Sequence, residues 1–426
     1  MIKNLKLDLL GVKMKKKNFF SVYRGLPFGI YILFIVRIVN ALGAFVGPFL
    51  TMFLSEKMGL NNQLIGIFIM MYSISTVPGS LIGGKIADSF GRKNILIIFE
   101  TLAALCYIPC AFLGESIIIP YLLILSGFFN SIAMPASGAM VADLTTTSNR
   151  NSAYSLLYLG NNLGFSIGPM IAGFLYGHYI KMLFIGNSIA VFCSVIIISV
   201  WIKETKPENG LEEQTLNEYE KMEEGGLISA LLKRPMLLSF ALLSMIYSFV
   251  YAQYPFCIPL QVGEIFKSNG SIIYGKIMAT NGFTVILFTT LLTRLTRKLS
   301  ALQNIAIAGL FYAVGFGMMF YIRSFNMFIV ATVIWTIGEI FQSTNSGVYL
   351  ANHTPMSHRG RFNAVIPLIT GAGFAIGPLA MGMYIKNRSV IYAWPISFVL
   401  SIIAAILFYI LYIVEKKKHK DSSILY

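Results

Sequence analysis

The chain has 426 residues, of which 56% are apolar and only 12% are charged, and its formal net charge is +15. Soluble domains carry about 25% charged residues, so this chain has too few charges to cover a water-facing surface, and its composition excludes an ordinary soluble protein. The composition instead fits a protein surrounded by a lipid bilayer. In such a protein the net positive charge is explained by where the Lys and Arg residues lie relative to the membrane.

Twelve apolar runs follow one another along the chain, each about 20 residues long, which is the length at which a helix crosses the hydrocarbon core. Strands with free edges would leave backbone groups unpaired in lipid, so we predict that all twelve runs are helices. In chain order they cover residues 28–54, 63–82, 94–113, 118–141, 152–175, 182–201, 236–259, 272–292, 305–322, 328–350, 364–383 and 391–414. The sequence therefore predicts an all-α membrane protein with twelve transmembrane helices.

One polar segment, residues 203–234, separates the first six runs from the last six. We therefore expect an N-terminal bundle at 1–202 with a basic N-terminus, a cytoplasmic linker at 203–234, and a C-terminal bundle at 235–426 with a basic tail. With the N-terminus placed inside, 25 of the 33 Lys and Arg residues fall on the inner side and seven on the outer side. This asymmetry predicts a plasma-membrane protein with both termini in the cytoplasm. It also accounts for the net charge without a nucleic-acid partner.

A charged motif follows the second run, in the stretch "GGKIADSFGRKN". Its pattern G-x-x-x-D-x-x-G-R-K consists of Gly84, Asp88, Gly91, Arg92 and Lys93. Gly84 would allow a neighbouring helix to approach closely, and Gly91 would support a tight turn. Arg92 can pair with an acid at another helix end, and Asp143, which ends the fourth run, is the predicted partner.

This motif, together with the twelve runs, the two halves and the central polar loop, resembles the major facilitator superfamily over essentially the whole chain. The resemblance implies the major facilitator fold, in which two pseudo-symmetric six-helix bundles enclose a cavity. It also implies that the motif residues and Asp143 form a conformational latch, which holds the inner helix ends together while the outer side is open.

A phrase near the fifth run is repeated 209 residues later: "GFSIGPMIAG" begins at Gly164 and "GFAIGPLAMG" begins at Gly373. An ungapped repeat of this kind indicates an internal duplication. Proline removes a backbone donor and favours a bend, while glycines leave a smooth helix face. We predict a helix-bending seam between the two halves formed by Gly164, Gly168, Pro169, Gly377 and Pro378. The first copy also resembles the Gly-Pro motif of exporters, and plain small-residue packing is the alternative interpretation.

Two charged residues lie deep within apolar runs. Glu339 is near the middle of the tenth run, where an ionised carboxylate must be paired, hydrated or protonated. We predict that it couples transport to protons, as its surroundings resemble the tenth helix of drug:proton antiporters; a structural carboxylic acid within a helix seam is the alternative. Arg37, in the first run, is the second predicted proton-coupling residue. We predict that it points into the cavity, where it would pair with Glu339 or with an anionic group of the substrate, or alter the local proton affinity.

The seventh run, "SFVYAQYPFCIPL", carries tyrosines at helical spacing, which can line a cavity for flat or cationic molecules or simply fill the protein interior. The residues predicted to line the substrate cavity are Asn40, Tyr251, Gln253, Tyr254 and Gln342.

The favoured function is proton-coupled efflux of amphipathic small molecules or drugs by a monomer in the lipid bilayer. No phosphate-binding loop, metal-ligand spacing or catalytic constellation is visible, so we expect no cofactor, no metal site and no enzyme activity, with the proton gradient as the driving force. Two alternatives stay open. The same fold could import or export one specific metabolite (a sugar, an amino acid or a siderophore), or the chain could be a membrane enzyme or a channel.

Overall fold

The computed structural model describes residues 23–146, 149–205, 234–353 and 359–424. Within these ranges every regular element is helical. The basic N-terminal segment and nearly all of the predicted linker lie outside the described residues, so the predicted linker boundaries stay predictions.

The N-terminal bundle contains the helices that precede the predicted linker. They are α1 (Phe28–Leu42), α2 (Val46–Met52), α3 (Asn62–Phe90), α4 (Arg92–Cys110), α5 (Ile118–Asp143), α6 (Arg150–His178) and α7 (Ile180–Trp201). A π-helical turn, Phe53–Lys57, extends α2. Asn61 caps α3, since its side chain accepts a hydrogen bond from the Leu64 backbone N–H at 2.9 Å.

The C-terminal bundle contains the helices that follow the predicted linker. They are α8 (Pro235–Tyr251), α9 (Gln253–Phe266), α10 (Gly270–Leu295), α11 (Ala301–Met318), α12 (Phe325–His353), α13 (Arg359–Tyr384) and α14 (Ala393–Ile424). A full capping box begins α11, in which Ser300 and Gln303 exchange side-chain and backbone hydrogen bonds.

Ten stretches of the described residues are long and apolar enough to cross a membrane. One of them, Pro235–Leu295, has 61 residues and contains both the seventh and the eighth predicted runs. The fifth predicted run, now α6, is not among the ten, and its Asn161, Asn162 and several glycines lower its hydropathy. The all-helical membrane fold is confirmed, while the count of twelve spans stays a prediction.

Each bundle contains one broken helix at an equivalent position. The break between α1 and α2 falls at residues 43–45, and the break between α8 and α9 falls at Ala252, which is 209 residues beyond Gly43. This offset is the one that aligns the repeated Gly-Pro phrases. The duplication predicted from the sequence thus appears in the backbone as a matched pair of helix breaks.

The two bundles meet along two helix pairs, α6 with α10 and α3 with α13. The Pro169 carbonyl of α6 faces Gly275 of α10, and the Pro378 carbonyl of α13 faces Gly66 of α3, so closely that a methyl group on either glycine would overlap it. Pro378 is 209 residues beyond Pro169, and Gly275 is 209 residues beyond Gly66. The two contacts are therefore copies of each other, and they give the fold its two-fold pseudo-symmetry.

Direct hydrogen bonds join the bundles at one end of the helices. Thr51 Oγ1 donates to the Pro255 carbonyl at 2.8 Å, and Asn62 Nδ2 donates to the Ile385 carbonyl at 3.4 Å. We call this the contact end, and we call the opposite end, where α3 meets α4 and α12 finishes, the cavity end.

Candidate functional site

A cavity of about 390 Å³ extends from mid-depth toward the cavity end, between α8, α12 and α13. Among its described lining residues Glu339 is the only charged one. Aromatic side chains and amides form much of the remaining wall, including Phe240, Tyr251, Tyr312, Gln342 and Phe374. The arrangement suits a ligand that combines an apolar body with one polar or positively charged group.

Glu339 lies midway along α12 and is held by neutral partners. Asn281 of α10 donates through Nδ2 to Glu339 Oε2 at 2.7 Å, and the same amide lies 3.0 Å from the Thr336 hydroxyl. Tyr251 of α8 also forms a hydrogen bond with the carboxyl group. The described residues provide it with no salt-bridge partner, so the carboxyl can gain or lose a proton without breaking an ion pair.

Further polar contacts fix the wall around this carboxyl group. Tyr312 donates to Gln342 Oε1 at 2.6 Å, which orients the amide of Gln342 on the wall. Tyr158 of α6 interacts with Ser343 of α12, and this contact crosses from the N-terminal to the C-terminal bundle. The cavity therefore has its acid and its aromatic wall in the C-terminal bundle, and a tyrosine of the N-terminal bundle contacts one of its lining residues, Ser343.

Two of the predicted cavity residues, Gln253 and Tyr254, are not among the described residues that line this cavity, and their role stays a prediction. Gln253 is fully buried and its amide donates to the Phe249 carbonyl at 2.8 Å, while the Tyr254 ring packs against Trp335 with centroids 4.9 Å apart. The prediction treated the tyrosines as one continuous helical stripe. Of the tyrosines in this run only Tyr251 is among the residues that line the cavity, and its ring centroid lies 5.4 Å from that of Tyr254.

The structure does not bring Arg37 to Glu339, so the predicted pairing of these two residues is not observed, while the other roles predicted for Arg37 and Asn40 stay predictions. Arg37 Nη2 donates to Ser137 Oγ of α5 at 3.0 Å. Arg37 also interacts electrostatically with Glu100 of α4. Asn40 does not line the described cavity, and its Oδ1 is buried without a hydrogen-bond partner. The hydrogen bond of Arg37 to Ser137 therefore lies within the N-terminal bundle, and both Arg37 and Asn40 are partly exposed.

Each of the predicted seam glycines packs against a helix of its own bundle. Gly164 and Gly168 pack against the α1 backbone, including the carbonyls of Ile38 and Leu42, so they lie within the N-terminal bundle. Gly377 likewise packs against Phe249 of its own bundle. The contact between bundles is made by the proline carbonyls described above.

Motif residues at the cavity end form a compact cluster. Gly91 has φ +92°, a left-handed conformation that favours glycine, which agrees with the predicted tight turn. Arg92 pairs with Asp143 at 3.1 Å, as predicted. Since α4 and α5 belong to one bundle, this ion pair does not itself bridge the two bundles, and its role as a latch stays a prediction.

Glu204, which the sequence analysis missed, completes this cluster. Its Oε1 accepts the Arg92 backbone N–H at 2.8 Å and its Oε2 accepts that of Lys93 at 3.1 Å, so it caps the positive N-terminus of α4. The Lys93 ammonium donates to the Ser199 carbonyl at 2.8 Å. An acid three residues beyond an apolar run, on the side of the basic motif, was the signal available.

Two other motif residues, Gly84 and Asp88, lie on α3. Gly84 has open space where its side chain would lie, and the close approach predicted for it is made instead by Gly83, whose Cα lies against the Ile132 carbonyl of α5. The difference is one residue of helix rotation. The side chain of Asp88 lies outside the described part of the structure.

Two helical bundles related by pseudo-symmetry, with a cavity whose one charged lining residue among the described residues is an acid of the C-terminal bundle, define a class, the membrane transporters with internal repeats. The Major Facilitator Superfamily profile matches residues 33–345 and 258–424. The chain belongs to this superfamily.

Curated relatives agree with this assignment. The chain is 24% identical over 381 residues to the uncharacterized MFS-type transporter YhjO of Bacillus subtilis, covering 89% of this chain and 91% of the relative. It is 24% identical over 370 residues to a Na(+), Li(+), K(+)/H(+) antiporter of Planococcus maritimus, covering 79% and 85%. Over 180 residues it is 31% identical to Multidrug resistance protein 2 of Bacillus subtilis, covering 41% and 44%.

Solved structures agree at the level of the fold. The peptide transporter POT in complex with sulfate superposes with a TM-score of 0.75 at 14% identity, covering 93% of this chain and 96% of that one. The nucleoside transporter NupG superposes with a TM-score of 0.70 at 15% identity, covering 90% and 98%. This chain is a multi-pass membrane transporter.

Proposed function

We propose that this transporter exports amphipathic small molecules in exchange for protons, and that Glu339 is the proton-coupling residue. The observation that carries the proposal is a carboxyl at mid-depth in the cavity wall, held by the neutral side chains of Asn281 and Tyr251. Protonation and binding of a cationic ligand group both neutralise the same carboxylate, so they compete at one place. Such competition links the movement of a substrate to the movement of a proton in the opposite direction.

The cavity wall supports the amphipathic substrate class. Phe240, Tyr251 and Tyr312 offer ring faces and edges, to which flat apolar or cationic groups bind. Among the relatives, one is named as a multidrug resistance protein and another as a cation/proton antiporter, which supports exchange with protons without fixing the substrate.

The orientation of the protein belongs to the same proposal. The excess of Lys and Arg near the cavity end assigns that end to the cytoplasm and the contact end to the exterior of the plasma membrane. In this arrangement the cavity is loaded from the cytoplasm and emptied when the contact end separates.

The test uses purified protein in proteoliposomes with an imposed pH gradient and a panel of cationic dyes, neutral amphiphiles, alkali cations and polar metabolites. Glu339→Gln should abolish gradient-driven transport of the compound that the wild type moves, because the amide cannot exchange a proton. Glu115→Gln, which changes an exposed carboxyl at the contact end, is the matched control and should keep wild-type transport. Proton-coupled transport that persists in Glu339→Gln would show that another residue couples the proton.

A further inference from the structure

The segment formed by α2 and its π-helical turn lies against α9 of the other bundle. The Thr51 hydroxyl provides one polar contact between them, to the Pro255 carbonyl at 2.8 Å. Because α2 follows the break at residues 43–45 and α9 follows the break at Ala252, the two touching segments are the equivalent halves of two broken helices. Such segments can change their direction without unfolding the helices that precede them.

Glu56 lies within the π-helical turn and spans the gap between the bundles. Its Oε2 accepts a hydrogen bond from the Tyr176 hydroxyl of α6 at 3.1 Å. Its Oε1 lies against Gly263 of α9, so that a methyl group placed on Gly263 would come within 2.5 Å of this oxygen. One carboxylate oxygen is therefore fixed by its own bundle, while the other occupies space that only a glycine of the opposite bundle leaves free.

An aromatic layer lies beside this contact. The Phe49 ring stacks on Tyr176 with centroids 5.5 Å apart and meets the Tyr274 ring of α10 edge-on at 5.3 Å. Beneath it lies a cavity of about 220 Å³, bounded by α2, α3, α9 and α13 and lined in part by Ser73. A path from this cavity to the contact end that runs between α2 and α9 requires the segment that carries Glu56 to separate from α9.

We propose that Glu56 is the locking residue of the contact end: with its carboxylate held between Tyr176 and Gly263, it keeps α2 on α9 and keeps that end closed. π-Helical turns are rare and occur often at functional positions, which suits a residue that must hold one geometry in one state and leave it in another. This inference rests on the transporter fold and needs neither proton coupling nor a particular substrate. Its failure would therefore leave the role proposed for Glu339 untouched.

The experiment measures access to a reporter cysteine below the lock. The four native cysteines, Cys106, Cys110, Cys193 and Cys257, are replaced by serine, and Ser73→Cys places a thiol in the cavity beneath the contact end. A membrane-impermeant maleimide is applied to intact cells and, separately, to inside-out vesicles, which also establishes the side that the contact end faces. Neither a substrate nor a pH gradient is present.

Glu56→Ala should raise the labelling rate of the reporter from the contact-end side by about 2- to 10-fold, the change expected when one partly exposed contact between the bundles is lost from a two-state equilibrium. Glu115→Ala, at an exposed carboxyl of the same end, should leave the rate unchanged. Wild-type labelling in Glu56→Ala would overturn the proposal.

Gly263→Ala provides an independent variant, because the new methyl group displaces the carboxylate. Alone it should raise labelling, whereas the double variant Glu56→Ala, Gly263→Ala should label more slowly than the product of the two single effects predicts, since the methyl group then fills the vacated space. Gly47→Ala on α2, where a methyl group meets nothing within 4 Å, is the control. Independent effects of the two substitutions would show that the two residues do not form one lock.

General loosening of the protein is distinguished with a second reporter, Ser346→Cys, in the wall of the cavity that contains Glu339. Its labelling from the cavity-end side should not increase in Glu56→Ala, because opening one end does not open the other. A parallel increase at both reporters would indicate partial unfolding and would overturn the assignment of Glu56 as a lock.

Discussion

At the scale of single residues, Glu339 could be identified as a candidate from the sequence, whereas Glu204 could not. A carboxyl within an apolar run is conspicuous, so Glu339 could be assigned to the membrane interior from the sequence. Glu204 stands among the charged residues that begin the linker, and its position three residues beyond an apolar run was a weak signal that did not identify the helix it caps. Asn281 was equally hard to select, because neutral polar side chains are common at membrane depth and only tertiary packing shows which one meets the carboxyl.

The cap provides a residue-scale prediction. Glu204→Ala removes the acceptor of two backbone N–H groups at the α4 N-terminus, and loss of such a cap costs about 0.5–2 kcal/mol. We expect a lower midpoint of thermal unfolding in detergent, with Glu204→Gln between alanine and wild type because an amide oxygen still accepts. An unchanged midpoint in Glu204→Ala, relative to Glu115→Ala, would indicate that water replaces the cap at no cost.

At the scale of helices, the positions of apolar runs were predictable and the direction of side chains within them was less so. Length and apolarity require a membrane-spanning helix, whereas the break at Ala252 occurs in "VYAQYP" without a glycine at the break itself. Gln253 and Tyr254, which follow that break, are buried and do not line the described cavity, which a helical pattern in the sequence could not indicate. For the same reason the sequence indicated Gly84 as the site of the close helix contact, which Gly83 makes in the structure.

Adjacent glycines on α3 offer a matched comparison. Gly83→Ala should destabilise the protein, since the new methyl group would strike the Ile132 backbone, which cannot move without displacing α5. Gly84→Ala should be neutral or stabilising by up to about 1 kcal/mol, because alanine favours a helix and the space there is open. Folded yield and the midpoint of thermal unfolding of the two variants provide the measurement. Equal destabilisation would mean that α3 is rotated relative to the structure described above.

At the scale of the whole molecule, the duplication was readable because the repeated phrase keeps one offset without gaps. The structure extends that offset of 209 residues to features that the sequence comparison did not include, namely the helix breaks and the two proline–glycine contacts. Which end of the bundles is closed was not predictable, since a repeat specifies equivalent surfaces in both halves and does not say which of them touch in a given state. Side chains that occur in only one of the two halves, such as Glu56, are the ones that can distinguish the two ends, as proposed above.

The symmetry itself leads to a prediction about closure. Gly66→Val and Gly275→Val each place a branched side chain against a proline carbonyl of the opposite bundle, and neither backbone can yield alone. Both variants should therefore hold the contact end partly open and raise labelling of the Ser73→Cys reporter from that side by similar factors. Gly138→Val, at a glycine with open space around it, should leave labelling unchanged. Because the two contacts lie on opposite sides of the pseudo-two-fold axis, a response from only one of the two glycines would mean that the bundles separate by hinging on the other contact rather than by moving apart as two rigid bodies.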